Sequence, residues 1–469
     1  MQYEKFIESK TKLHRKKGLS VSENDMHNKL FKYQKDLVRF ALNNSKAGIF
    51  TTTGTGKTFM QLEWARQIYN KTGINVLILT PLAVSEQTIK EGIKIDVEVN
   101  SIKKNGHKNG INIINYEQLH KINIKDYNAV VLDEASILKS FAGKTRNLII
   151  DSFRNYEYKS CYSATPSPND FMELGNYSEF LDVMKRVEML ATYFIHDSND
   201  TQKWRLKGHA KETFWKWFAS FSAMMNNPND LGYDEKMYVL PKLIRHEHKI
   251  KTDKCLEGNL FPVVAETLEE RRNARRTTLE ERCQKAAELV NNSDDIWLCW
   301  CQYNNESALL KKLINNCVEI SGSNTDEEKE SASSRFVNGE IKCLISKPSI
   351  FGFGMNFQVC HNQTFFPDDS FESFFQAEKR TYRLGQKHDV HTHLVYSDLE
   401  GAVLDNLFRK EKQFSEMIGS MIDHVKDYVK NNVVNDFAIT DRSYSPDILM
   451  KLPLFLEEMA INNGTIVNK

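Results

Sequence analysis

The sequence predicts two α/β domains built on parallel sheets, with a helical segment between them and a helical cap at the C-terminal end. Short β-branched runs of four to six residues recur along the chain, with some 15 to 40 residues between them, room for a crossover helix. The pattern occurs twice, once in each half. Runs of this kind are suited to burial on both faces, the mark of a parallel sheet covered by helices.

In the first half the runs are AGIFTTTGTGKT from Ala47, VLILTPLAV from Val76, INIINYEQL from Ile111, NAVVLDEAS from Asn128 and KSCYSATPS from Lys159. The second half repeats the design with IWLCW from Ile296, CVEISG from Cys317, KCLIS from Lys342, QTFFPD from Gln363 and VHTHLVYS from Val390. The expected division is a basic arm over 1–28, a first domain over 29–190, a helical insert over 191–285, a second domain over 286–420 and a helical cap over 421–469. There is no internal repeat or low-complexity tract.

The 469 residues are 41% hydrophobic and 27% charged, ordinary for a globular protein, which excludes a disordered tail, a collagen-like fibre and a disulfide-held mini-protein. No apolar run approaches the roughly 18 residues of a membrane helix. The first residues have no apolar stretch suited to a secretory signal, so a cytoplasmic setting is expected. Lys plus Arg number 63 against 62 Asp plus Glu, for a formal net charge of +1. Any nucleic-acid site must then be a local patch rather than a global basic field. None of the eight cysteines forms a CxxC pair, so zinc-ribbon spacing is absent, and Cys299 and Cys301 read as buried thiols.

The strongest chemical signal is TTTGTGKT, Thr51 to Thr58, directly after an apolar run and before a helix-like stretch. A strand, a glycine-bearing loop and a helix start present backbone N–H groups to phosphate oxygens. Gly54 and Gly56 allow close approach, with Thr55 between them. Lys57 suits the β- and γ-phosphates, and the Thr58 hydroxyl suits Mg²⁺. The strict pattern wants glycine where Thr51 stands; the bland alternative is a Gly/Thr turn before a helix. The second signal is VVLDEAS. Asp133 at the end of a buried strand can hold Mg²⁺ and Glu134 can polarise a water. An Asp-Glu pair after a strand is also common surface chemistry; its place about 75 residues after Lys57 gives it weight.

The ordered segments LFKYQ, TTTGTGKT, LTPLAV, NYEQL, LDEAS, SATP, FGFGMN and QAEKRTYRLGQ span residues from about 30 to 400. Together they resemble superfamily 2 helicases and translocases, most closely the Swi2/Snf2-like branch. Gln376, Arg380, Arg383, Gly385 and Gln386 match the form QxxxRxxRxGQ that is typical of that branch. The resemblance implies two tandem RecA-like domains with ATP and Mg²⁺ between them. It gives Gln34 the role of reading adenine, Lys57, Thr58, Asp133 and Glu134 the phosphate, magnesium and water-activating roles, and Arg380 and Arg383 the reach to the γ-phosphate from the second domain. A guanidinium fork suits charge building on a transferring phosphoryl group. Ser163 and Thr165 match the link between the nucleotide site and the nucleic-acid groove. Gly354 and Asn356 match a second-domain loop touching both. Ser136 departs from the pattern, standing where the branch most often has His.

KWRLKGHAKETFWKWF, residues 203 to 218, interleaves tryptophans with cations, which can stack bases and neutralise phosphates. Phe214, Trp217, Phe218 and Phe221 also share one helical face, which favours a core. The segment resembles the insert of phage- and prophage-encoded members of the group. Lys10, Lys12, Arg15, Lys16 and Lys17 read as a solvated arm. LEERRNARRTTLEER, 268 to 282, reads as an exposed helix laced with i,i+4 pairs. His246, His248, His391 and His393 make no metal set, and the HTH at 391 to 393 reads as a strand edge.

The expected function is an ATP-driven motor on duplex or single-stranded DNA, with replication or recombination proteins as candidate partners and no membrane. Three other readings stand beside it: an RNA-dependent helicase, a simple P-loop ATPase or kinase, and a helicase-fold scaffold. The simple ATPase leaves Arg380 and Arg383 idle. A scaffold has no need of Lys57, Asp133 and Glu134.

Overall fold

A computed structural model describes residues 18–81, 84–139, 143–167, 171–196, 204–233, 240–254, 264–265, 267–351, 356–401 and 403–433. Helix α1 (Lys32–Asn44) leads into β1 (Lys46–Thr51), α2 (Lys57–Thr72), β2 (Val76–Thr80), α3 (Ser85–Lys94), β3 (Val99–Ser101), β4 (Ile111–Asn115), β5 (Ala129–Leu132), α4 (Lys144–Ser152) and β6 (Tyr158–Ser163). All five runs expected in the first half are strands. Each is buried almost throughout, because a parallel sheet with helices on both faces leaves no wet side. Strand β6 is the polar one. Its Lys159 is buried, donates to Asp182 at 2.6 Å and to the Phe180 carbonyl at 2.9 Å, and burial lowers its pKa to about 8.

After α5 (Leu174–Phe180) and α6 (Arg186–Tyr193), a short antiparallel hairpin pairs β7 (Phe194–His196) with β8 (Trp204–Leu206). Next come α7 (Lys211–Phe221) and β9 (Ser222–Met225). The first sheet runs β3-β4-β2-β5-β6-β1-β9, all parallel, so β1 lies between β6 and the edge strand β9.

The second sheet comprises β10 (Leu243–Ile250), β11 (Trp297–Trp300), β12 (Cys317–Glu319), β13 (Cys343–Ser346), β14 (Asn362–Phe365) and β15 (Val390–Ser397), in the parallel order β10-β15-β14-β11-β13-β12. Its helices are α8 (Leu268–Thr277), α9 (Leu279–Asn291), α10 (Asn304–Leu313), α11 (Asp326–Val337) and α12 (Phe371–Thr381). Cys299 and Cys301 are buried free thiols, as expected.

Three expectations need correction. The stretch expected as a helical insert supplies a strand to each sheet, β9 to the first and β10 to the second. Ser-Ala-Met-Met and the histidine-rich β10 carry little β-branched character, so only their pairing with β1 and β15 makes them strands. The core favoured by the shared helical face is what the aromatic segment forms: Trp215 and Trp217 are 1% and 0% exposed, which leaves the alternative of base stacking without these two rings. Phe218 stacks on Phe50 of β1 with centroids 5.9 Å apart, and Trp217 meets Tyr193 at 5.3 Å. The segment 268–282 breaks between α8 and α9, and two of its arginines, Arg275 and Arg282, turn inward, while Arg272 and Arg276 stay exposed. Buried Arg282 pairs with Glu306 at 3.0 Å, while Arg275 pairs with Asp369 at 2.9 Å. Strand β15 is interior, between β10 and β14. His246 and His391 share a hydrogen bond at 2.8 Å, and His248 and His393 share one at 2.9 Å, which zips the true edge strand β10 to its neighbour.

The chain then forms α13, one continuous helix of 31 residues, Val403–Val433, so the boundary expected at 420 falls inside it. Phe414 packs on Phe371 and Phe375 of α12, and further along the helix lies against α1, α7 and β9 of the first sheet domain. Of the arm expected over 1–28, residues 1–17 lie outside the described residues, while 18–28 pack on the first domain, with Val21 and Met26 in its core; the rest of the cap from 434 also lies outside. Among the described residues no helix is long and apolar enough to cross a membrane.

Candidate nucleotide site and inter-domain cleft

The glycine loop leaves β1 at Thr51 and enters α2 at Lys57. Thr51 is still strand, so the glycine missing from the strict pattern leaves no strained backbone. Its hydroxyl instead bonds the Thr55 hydroxyl at 2.7 Å, and Thr55 donates to the Thr52 carbonyl at 2.9 Å. Gly56 does need to be glycine. Its φ is 79°, and a β-carbon there would stand 2.2 Å from Nε2 of Gln34. Gln34 clamps the loop from α1: Nε2 donates to the Thr55 carbonyl at 2.9 Å, while Oε1 accepts from the Phe31 amide at 2.9 Å. Tyr33 adds a second bond to the Thr55 carbonyl at 2.7 Å.

Lys57 opens α2 and folds back over the loop, donating to the Thr51 and Thr52 carbonyls at 2.8 and 2.9 Å. Burial lowers its pKa to about 8, partly offset by Glu134 and Asp133. A phosphate anion would supply the countercharge this lysine lacks, at the positive end of α2. Thr58 follows in the same first turn. Asp133 sits just past β5, buried enough to raise its carboxyl to about 6. Gln61, one turn beyond Lys57 on α2, donates to Asp133 Oδ1 at 2.6 Å, and Tyr116 donates to its carbonyl at 2.7 Å. Sequence reasoning missed both. The spacing i,i+4 from Lys57 could have flagged Gln61, since it puts the two on one helix face. Glu134 has a φ of 51°, a conformation that costs a non-glycine residue about 1 kcal/mol. It accepts from Ser163 at 2.9 Å, and the Ser163 hydroxyl in turn accepts from the Thr165 amide at 3.1 Å. The nucleotide-side carboxylate and the segment SATP are therefore physically linked.

Arg380, in the last turn of α12, and Arg383, just beyond it, come from the second sheet domain. Burial lowers their pKa values to about 10 and about 9. Glu134 and Asp133 act on Arg380, and both arginines act on Lys57, so five charged groups from both domains share one electrostatic neighbourhood. The motif's own glutamine is structural: Gln386 Nε2 donates to the carbonyls of Gln358, Cys360 and Thr381 at 3.1, 3.0 and 3.2 Å, which folds the turn carrying Arg383. Gly385 completes that turn at a φ of 91°. Gln376 Nε2, Asn356 Oδ1 and Thr165 Oγ1 are buried without a hydrogen-bond partner among the described residues, as groups awaiting a ligand or water would be. Gly354 lies outside the described residues. No group of three or more His, Cys, Asp or Glu side chains among the described residues has metal-holding geometry. A magnesium ion held by Thr58, Asp133, phosphate oxygens and waters requires no such group.

From Glu134 a cleft of about 1050 Å³ opens between the domains. The first domain contributes Lys90 and Lys94 of α3 and Tyr116; the second contributes Lys329 and Glu330 of α11 and Asn356. The lysines of the lining lie mainly on the first-domain wall, among glutamates, and serines line the second-domain wall. Two ion pairs cross it, Lys90–Glu330 and Lys139–Glu372.

Residues 27–167 match the family described as "Type III restriction enzyme, res subunit". No curated protein matches the sequence. Among solved structures, Saccharomyces cerevisiae Dbp5 bound to RNA and ADP BeF3 superposes at a TM-score of 0.51 and 12% identity, covering 84% of this chain and 93% of that one. A single-residue variant of Dbp5, in the same complex, superposes at 0.52 with the same identity and coverage. The fold is that of tandem RecA-like domains. The Sulfolobus solfataricus SWI2/SNF2 ATPase core in complex with dsDNA is 14% identical and covers 88% of this chain and 98% of that one, at a TM-score of 0.41 that is too low to argue from. The family match falls within the first RecA-like domain of this chain.

Proposed function

We propose that the chain is a nucleic-acid-dependent ATPase, a helicase or translocase of the Swi2/Snf2-like branch that couples ATP hydrolysis between its domains to movement along DNA. The observation that carries this reading is the approach of the arginine motif to the glycine loop across the domain boundary, with Leu384 against Gly54, Arg380 near Lys57, Asp133 and Glu134, and Arg383 near Lys57. A simple ATPase needs no second-domain arginines; a motor does, because they make hydrolysis depend on closure.

In this reading residues 29–190 bind ATP and 286–420 bring the arginines. Gln34, Gly54, Thr55, Gly56 and Lys57 hold the nucleotide with Gly354 and Gln376, and Thr58 and Asp133 hold Mg²⁺, which screens the phosphate charge. Glu134 accepts a proton from the attacking water as its oxygen bonds the γ-phosphorus and the bond to the β–γ bridging oxygen breaks, releasing ADP and phosphate. Arg380 and Arg383 stabilise the charge on the transferring group. Ser163, Thr165 and Asn356 relay the state of this site to the cleft. A cytoplasmic setting in a bacterial or phage-infected cell, and replication or recombination partners, belong to the same proposal and rest on the motif resemblance.

DNA is favoured by the QxxxRxxRxGQ motif, while the RNA in the Dbp5 complexes keeps an RNA track as the second reading. Steady-state ATP hydrolysis with no polymer, single-stranded DNA, duplex DNA and RNA decides between them. We expect strong stimulation by DNA, abolished in Lys57→Ala and Arg383→Ala. Turnover indifferent to every polymer would sink the motor reading, and a response to RNA alone would transfer it to RNA.

A further inference from the structure

The cleft does not end at the Lys139–Glu372 pair. A second cavity of about 470 Å³ lies beyond it, and these two side chains line both, so the ion pair is a bar across one channel. The far cavity is walled by Arg272 of α8, Tyr303 at the start of α10 and Lys410 of α13, with Leu268 at its rim. Its acids are committed. Asp369 is held by Arg271 at 2.7 Å and Arg275 at 2.9 Å. Asp368 accepts from the Ser370 amide at 3.0 Å, and burial raises its carboxyl to about 6. Lys410 donates to a neutral acceptor, the Asp369 carbonyl, at 2.5 Å, and Arg272 is exposed. Among the described residues, two cations therefore face the basin with their charge unspent on a carboxylate. Tyr303 offers a half-buried ring and Leu268, 57% exposed, an apolar edge. Cations that reach phosphate beside rings that take a base are the two components of a single-strand site.

We propose that this basin is the second half of the nucleic-acid track: a single strand leaving the cleft displaces Glu372 from Lys139 and sets its phosphates on Arg272 and Lys410, with a base against Tyr303. The inference rests on the nucleic-acid reading above. It adds a site that the motifs do not mark, because Arg272 and Lys410 lie outside every one of them. It also gives the bar a task. Glu372 stands in the first turn of the helix whose last turn carries Arg380, so a phosphate that takes Lys139 frees the far end of the arginine helix.

The test compares binding of labelled DNA and RNA strands of about 5 nucleotides, sized for the cleft, and about 15, which reach the basin. The double variant Arg272→Ala/Lys410→Ala should weaken the long strand about 10-fold at moderate salt and flatten its salt dependence by about 1.4 in logarithmic slope, two phosphate contacts at about 0.7 each. The short strand should bind as before. Arg409→Ala removes a charge from the same helix where the side chain bonds Gln413 instead, and should change neither. Glu372→Gln should tighten the long strand. An unchanged long strand in the double variant, or equal weakening of both lengths, would overturn the proposal, as would a Glu372→Gln protein that binds as wild type does. A wild-type protein that binds neither strand would instead fell the nucleic-acid reading itself, so the two failures are distinguishable.

Discussion

Gly54 and Leu384 meet backbone to backbone across the two sheet domains. A β-carbon on Gly54 would stand 2.9 Å from the Leu384 amide nitrogen, and Gly54 holds a φ of 86°. The glycine loop therefore touches the arginine motif directly, and the neighbouring domain leaves no room for a side chain at Gly54. Gly54→Ala should strain the loop by about 1 kcal/mol and push Leu384 away, carrying Arg383 with it. We expect turnover to fall at least 10-fold with a small loss of melting temperature. Wild-type kcat would show that the contact is idle.

Gln61 should set the acid limb of the activity. Asp133 is raised to about 6 chiefly by burial, and its hydrogen bond from Gln61 works against that rise. Its folded pKa lies above the unfolded one, so in the fold the carboxylate proposed to hold Mg²⁺ is lost as pH falls through about 6. Gln61→Leu removes the opposing bond and should move the midpoint of Mg²⁺-dependent nucleotide binding upward by about one pH unit. A binding–pH profile that superposes on the wild type would show that Gln61 only packs.

Trp217 tests the core assignment of the aromatic segment. It is fully buried against Tyr193, Phe214 and Phe221. Trp217→Ala should cost about 3–5 kcal/mol in chemical denaturation, whereas Lys211→Ala, on the exposed face of the same helix, should cost under about 0.5 kcal/mol. Normal stability with lost nucleic-acid binding in Trp217→Ala would restore the stacking reading.

Arg282 is buried with Glu306 and close to Glu400, and its guanidinium lies 4.9 Å from the centre of the Phe366 ring. Arg282→Ala leaves buried Glu306 without its ion-pair partner and Glu400 with Arg275 alone, at 3.6 Å, and should destabilise the second domain by about 3–5 kcal/mol. Urea denaturation checks this, and a loss below about 1 kcal/mol would mean that solvent reaches the cluster.

Much of this was legible in the chain itself. Ten strands, the glycine loop between β1 and α2, the acidic pair and the arginine motif follow from patterns contained within a dozen residues, because burial on both faces and a left-handed glycine are local demands. The order of those patterns sufficed to expect two tandem domains. Tertiary structure decided the rest. Ser222–Met225 and Leu243–Ile250 are strands only because a sheet edge supplies hydrogen-bond partners, and Arg282 turns inward only because Glu306 and Glu400 wait there. Helix α13 returns to the first domain through contacts that its own amphipathic pattern does not name. Lys57 and Arg383 feel one another across more than 300 residues of sequence. Local conformational preference is written residue by residue, but which surfaces and charges meet depends on the free energy of packing the whole chain.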